Sequence, residues 1–201
     1  MNPTALVLLD YFGIAVFAVS GALLAAEKKQ TLVTFIFFAV VTGIGGGTLH
    51  DLLIGAPVFW VHTNATLLIC IAAALLVWVA SRRWFAGKAL LWFDAAGMAA
   101  YATYGAAKAL GFGVAPVPAF AMGVLTACVG GIIRDVLAGE PSILMRPELY
   151  VTAAALASGL FVLLALGGLG LWAAAALAIA AGFTLRGAAI ARGWSLPQYR
   201  D

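Results

Sequence analysis

The sequence predicts an all-α membrane protein: seven transmembrane helices, arranged as two inverted three-helix repeats plus one C-terminal helix. Three observations predict it. Of 201 residues, 65% are apolar and only 9% charged, where soluble domains carry about 25% charged residues; the mean hydropathy is +1.09. Apolar runs near the ~20 residues that cross a ~30 Å hydrocarbon core recur along the chain. A glycine-rich stretch also occurs twice, once as Gly45-Gly46-Gly47-Thr48-Leu49-His50-Asp51-Leu52-Leu53-Ile54-Gly55-Ala56-Pro57. The second copy is Gly130-Gly131-Ile132-Ile133-Arg134-Asp135-Val136-Leu137-Ala138-Gly139-Glu140-Pro141.

The spans fall at about 6–26, 31–54, 63–81, 90–110, 116–138, 150–167 and 170–190. The first has no Lys or Arg ahead of its apolar stretch, unlike a secretory signal, and an internal counterpart at 94–110, so it is expected to be a retained span. Charged separators are Glu27-Lys28-Lys29-Gln30, Arg82-Arg83 through Lys88, and Arg146-Pro147-Glu148. Turn-forming ones are Gly55-Ala56-Pro57, Gly111-Phe112-Gly113 through Pro116, and the tight Gly167-Gly168-Leu169-Gly170.

The repeat extends well beyond the glycines. Gly46 and Gly130, Asp51 and Asp135, Gly55 and Gly139, and Pro57 and Pro141 share one offset, 130 − 46 = 84. Asp10 and Gly13 match Asp94 and Gly97 at that offset; Gly21 and Ala22 match Gly105 and Ala106; Thr42 matches Thr126. A gapless register that carries two Asp and a Pro is not chance pairing of small residues. Residues 1–201 are therefore expected to form a single membrane domain, with repeat 1 at about 6–81, repeat 2 at about 90–167 and an extra helix at about 170–190. Three helices per unit is an odd number, so the second unit enters the membrane from the opposite side, and such a pair encloses a site near the midplane. Lys28, Lys29, Arg82, Arg83, Lys88, Arg146, Arg186, Arg192 and Arg200 gather on one side. The positive-inside rule makes that side cytoplasmic, with the N-terminus outside the cell (plasma or inner) membrane and the C-terminus inside.

Glycines weaken a membrane helix where no water repairs the backbone, and such a break is tolerated against protein or a wet cavity. Gly45, Gly46, Gly47, Gly130 and Gly131 are thus candidate kinks whose freed carbonyls suit a cation; close helix packing is the alternative. Gly46→Leu or Gly130→Leu is expected to close the passage yet leave an assembled protein. Intramembrane charges are functional candidates: Asp10 and Asp51 toward the outer mouth, Asp94 and Asp135 toward the inner one, with Arg134 inside the fifth span. Asp10 and Asp94 can equally cap their helices. His50–Asp51 and Arg134–Asp135 are sequence neighbours that point apart on a helix, so their ion pairs are expected with other helices. Lys108 either snorkels to headgroups, holds Asp10 or Asp51, or acts as a gating charge. Ser20, Thr42, Thr48, Thr103, Tyr104 and Thr126 either line a path or hydrogen-bond between helices. Polarity is concentrated in spans one, two, four and five.

Other classes lack support. No basic patch interleaved with aromatics suggests nucleic acid. Cys70, Cys128, His50 and His62 show no metal spacing, and no cofactor motif is present. An enzyme would need Ser20 to have a base, and neither His has an evident route to it.

Phe17-Ala18-Val19-Ser20-Gly21-Ala22 and Tyr104-Gly105-Ala106-Ala107-Lys108-Ala109, each leading to Gly-Gly-x-x-(His/Arg)-Asp, resemble the bacterial trimeric intracellular cation (TRIC) channels, also catalogued as a two-copy glycine-transporter domain. The resemblance covers nearly the whole chain. It implies a homotrimer with a pore in each subunit, helices two and five bent at their glycines, conduction of monovalent cations (mainly K⁺), and a gating role for Lys108. His50, standing where the second repeat has Arg134, is a departure that leaves the charge of the outer constriction open, since His titrates near 6.5 unperturbed. The expected activity is a passive cation channel; a small-solute, glycine-like secondary transporter using the same repeats is the alternative.

Overall fold

The computed structural model describes residues 3–80 and 88–199. Among the described residues seven α-helices follow one another: α1 (Pro3–Glu27), α2 (Leu32–Leu53), α3 (Asn64–Val79), α4 (Ala89–Gly111), α5 (Pro116–Leu137), α6 (Val151–Leu166) and α7 (Leu171–Arg192). A 3₁₀ turn, Ile143–Met145, lies between α5 and α6. The helix ends follow local chemistry. Thr31 and Thr63 supply side-chain oxygens to the first amides of α2 and α3, and α5 opens on Pro116, whose ring presets the helical φ. After α2 and α5, Gly55 and Gly139 both sit at φ +69°, in the left-handed region. Just beyond them, Ala56 N–H donates to Asp51 O and Glu140 N–H to Asp135 O, both at 2.9 Å.

By length and composition α1, α2, α5 and α7 are suited to crossing a membrane, while α3 and α6 are shorter apolar helices of 16 residues. α4 is less apolar for a physical reason. It packs against α1, α5, α6 and α7, and 14 of its 23 residues are buried, so protein rather than lipid is its solvent. Asp94, Tyr101, Thr103 and Tyr104 are tolerated there because they find partners.

The two units run in opposite directions. At the crossing of α2 and α5, Gly46 faces Thr126 and Thr42 faces Gly130; as numbers rise on one helix they fall on the other. α1 and α4 repeat the pattern, Gly13 lying on the Tyr101 ring and Gly97 on the Phe17 ring. Each contact is the offset-84 image of its mate.

The glycines of α2 and α5 do not unwind their helices. Both run as unbroken α-helix through the motif. They serve close approach instead. A β-carbon on Gly46 would collide with the Thr126 carbonyl oxygen, and one on Gly130 would lie 2.5 Å from that of Thr42. Backbone touches backbone there, as small residues allow in lipid, where packing must replace the hydrophobic effect.

Candidate functional site

Two charge clusters sit toward opposite ends of the α1, α2, α4, α5 quartet. Each has two carboxyl groups and one Lys or Arg. In the first, Lys108 on α4 reaches Asp51 on α2 at 2.5 Å. Asp51 accepts its second bond from the Phe59 amide at 3.0 Å, and His50 Nδ1 stands 3.4 Å from it. The other imidazole nitrogen, Nε2, is 3.0 Å from Gly105 O on α4. The Lys108 ammonium also lies over the rings of Phe59 and Tyr104, at 5.6 and 5.7 Å. Asp10 accepts from the Tyr101 hydroxyl at 3.2 Å, and that hydroxyl is 3.3 Å from Gly43 O. Above this cluster a cavity of about 330 Å³ is lined by Asp10, Lys108, Tyr104, Phe59 and Thr66.

In the second cluster Arg134 on α5 bridges to Asp94 on α4 at 2.6 Å and to Asp135 at 2.8 Å, and donates to Ser20 on α1 at 3.0 Å. Asp135 accepts from the Ile143 amide at 3.1 Å. Phe59 and Ile143 are themselves 84 apart, so both acids are held by the same backbone device. A cavity of about 280 Å³ opens here, lined by Arg134, Asp135, Glu27, Lys88, Glu140 and Arg146. At its mouth Lys28 bonds Glu140, and that hydrogen bond holds the Glu140 carboxyl below the usual carboxylate range.

Several expectations change. Asp10 and Asp94 are not caps: α1 begins at Pro3 and α4 at Ala89, with no acid in either first turn. Sequence neighbours do pair, because the long Arg134 side chain folds back to Asp135 while also crossing to Asp94. Lys108 is not snorkelling alone; its ammonium lies on Asp51. Thr48 lies to one side, taking a bond from Trp60 Nε1 at 2.9 Å and giving one to Ile44 O. Thr42 and Thr126 pack on Gly21 and Gly105 at the helix crossing; Thr126 bonds Met122 O, and the Thr42 hydroxyl has no hydrogen-bond partner among the described residues. Thr103 bonds Ala99 O within its own helix. Of the basic residues expected on one side, Arg82, Arg83 and Arg200 lie outside the described residues.

Some partners had no sequence signal. The Phe59 and Ile143 amides are backbone groups in connections. Tyr101 did have one: it stands at the offset-84 position from Phe17, with which it stacks at 5.4 Å. Arg186, one of the basic residues expected on the cytoplasmic side, has a side chain that is 2% exposed and pairs with Glu148.

Fold and site together define a polytopic membrane protein of two oppositely oriented three-helix units, with an acid-rich cluster near each end. A family model described as "Glycine transporter" matches residues 7–82 and 91–166. The chain is 41% identical over 156 residues to a UPF0126 membrane protein of Vibrio cholerae, covering 76% of this chain and 65% of that protein's length. It is 34% identical over 148 residues to the UPF0126 inner membrane protein YadS of Escherichia coli, covering 72% of each. Among solved structures, the TRIC trimeric intracellular cation channel orthologue from Rhodobacter sphaeroides superposes with a TM-score of 0.87 at 41% identity, covering 95% of this chain and 100% of that one. A prokaryotic TRIC channel in 0.5 M KCl gives 0.85 at 26% identity, covering 96% and 99%. The chain belongs to the bacterial TRIC channel family.

Proposed function

We propose that this protein is a cation channel, assembled as a homotrimer, with a passage for monovalent cations, mainly K⁺, through each subunit between α1, α2, α4 and α5. The supporting observation is the pair of clusters, each with a carboxyl excess and each at the foot of a cavity on its own side. A carboxyl excess at the foot of a low-dielectric cleft attracts cations. Between the cavities the α2–α5 backbone contact and the Phe17–Tyr101 stack fill the interior, so this conformation is a closed one. Opening requires α2 and α5 to bend apart at Gly45–Gly47 and Gly130–Gly131, exposing carbonyl oxygens that replace part of an ion's hydration shell. Lys108 is the gating charge: leaving Asp51 would free a carboxylate for the ion. The basic end, with Lys28, Lys88 and Arg146, faces the cytoplasm.

The description of the matching family model favours a second function, secondary transport of a small solute such as glycine. Proteoliposomes separate the two. The channel predicts K⁺ efflux that sets a membrane potential and shows no glycine counterflow. Saturable counterflow of labelled glycine, with no K⁺ conductance, would establish the transporter instead.

A further inference from the structure

Outside the proposed passage, a further cavity of about 240 Å³ lies where the end of α7 meets the start of α4 and the α5–α6 connection. Leu91, Ala189, Ile190 and Trp194 give it an apolar wall; Arg186 and Glu148 give it a charged one. Arg186 is unusual for a side chain in an apolar helix. It is 2% exposed, and its Nε has no hydrogen-bond partner among the described residues, although unsatisfied buried donors are costly. Its one carboxylate partner is shared, since Glu148 also lies 4.0 Å from Arg146.

More positive charge stands against residues of the wall. Lys88 donates to Ile190 O at 2.7 Å, and the Arg192 guanidinium lies over the Trp194 ring at 5.2 Å. Two guanidinium groups, Arg186 and Arg146, thus share the Glu148 carboxylate, with Lys88 and Arg192 on residues of the wall, at the basic end of a membrane bundle. The Trp194 ring, apolar with a polar edge, suits the membrane interface. The segment after α7 shapes the cavity: Leu196 N–H donates to Pro147 O at 2.8 Å, next to an isolated bridge between Glu148 and Ser195.

We propose that this cavity binds the phosphate of an anionic phospholipid, with Arg186 at the base, Lys88 and Arg192 beside its Ile190 and Trp194 wall, and the apolar wall against the glycerol and upper acyl chain. Arg186 shares its carboxylate with Arg146 and keeps an unsatisfied donor, and Arg is suited to phosphate; the apolar wall and the position in the bundle favour a lipid over free phosphate. Basic residues at a membrane surface attract such lipids. This inference needs the membrane fold and no particular transport activity.

Native mass spectrometry of the purified protein tests it, using dioleoyl phosphatidylglycerol against dioleoyl phosphatidylcholine. Phosphatidylglycerol should be retained preferentially, and the preference should fall about tenfold or more in the K88Q/R192Q double variant. A second variant, R186Q/E148Q, exchanges the buried ion pair for two amides and should lose the preference too. Equal retention of both lipids, or a preference that survives in every variant that folds, overturns the proposal. Thermal protection by inorganic phosphate equal to that by phosphatidylglycerol overturns the lipid assignment.

Discussion

Arg134 and Lys108 hold comparable places in the two clusters but carry unequal burdens. The Arg134 side chain is 2% exposed and has two carboxylate partners, Asp94 and Asp135; Lys108 is 14% exposed and has Asp51. Removing one member of a buried pair strands the other, at a cost of about 3–5 kcal/mol. Arg134→Met should therefore cost that much and show as a large drop in the temperature at which folded protein survives gel filtration. Lys108→Met should cost clearly less, because water reaches its end of the site. A smaller change tests the Asp10 bond: Tyr101→Phe should cost about 1 kcal/mol, the value of one typical hydrogen bond, while the Phe17 stack persists. The charged residues were legible in the sequence because charge inside an apolar run is rare and expensive. Their partners were less so. A helical wheel sends Asp135 away from Arg134, and only coordinates show that a long guanidinium reaches both its neighbour and a carboxylate on α4.

The helices and their order follow from apolar runs and separators, and even the left-handed ends at Gly55 and Gly139 have visible glycines. What the sequence left open was the purpose of the adjacent glycines in α2 and α5. Broken helix and close packing share one signature, and the structure has continuous helices whose backbones touch. Substitution therefore reads packing first. Gly46→Ala and Gly130→Ala each press a methyl against a carbonyl oxygen on the facing helix and should destabilise by about 1–3 kcal/mol, as overpacking does. Gly45→Ala meets the mobile end of Ile133 at 3.1 Å and should be the mildest of the three in the same thermal assay. Gly46→Leu, expected from sequence to spare assembly, instead forces apart the central crossing and should reduce the yield of folded protein. α4 shows a further limit of hydropathy: its polar residues lower the signal of the very helix that protein surrounds most completely.

The inverted architecture was the most legible feature of the molecule, because one offset carries Asp10, Gly21, Thr42, Gly46, Asp51, Gly55 and Pro57 onto residues of the same kind. Coordinates extend that symmetry to what sequence hides, including the Phe59 and Ile143 amides on their acids. The symmetry is also broken in a telling way. Lys28 and Glu140 tie the mouth at the basic end, whereas their offset-84 counterparts, Phe112 and Ala56, bear no charge. Orientation is testable through that tie: a cysteine replacing Lys28 should react with a membrane-impermeant maleimide only in inside-out vesicles. The central claim, a cation passage within the bundle, is tested most directly by planar-bilayer recording of the purified protein in a KCl gradient. The account predicts unitary current steps that reverse near the K⁺ equilibrium potential. Reversal near the Cl⁻ potential, or a bilayer that stays silent across the voltage range while holding folded protein, would contradict it.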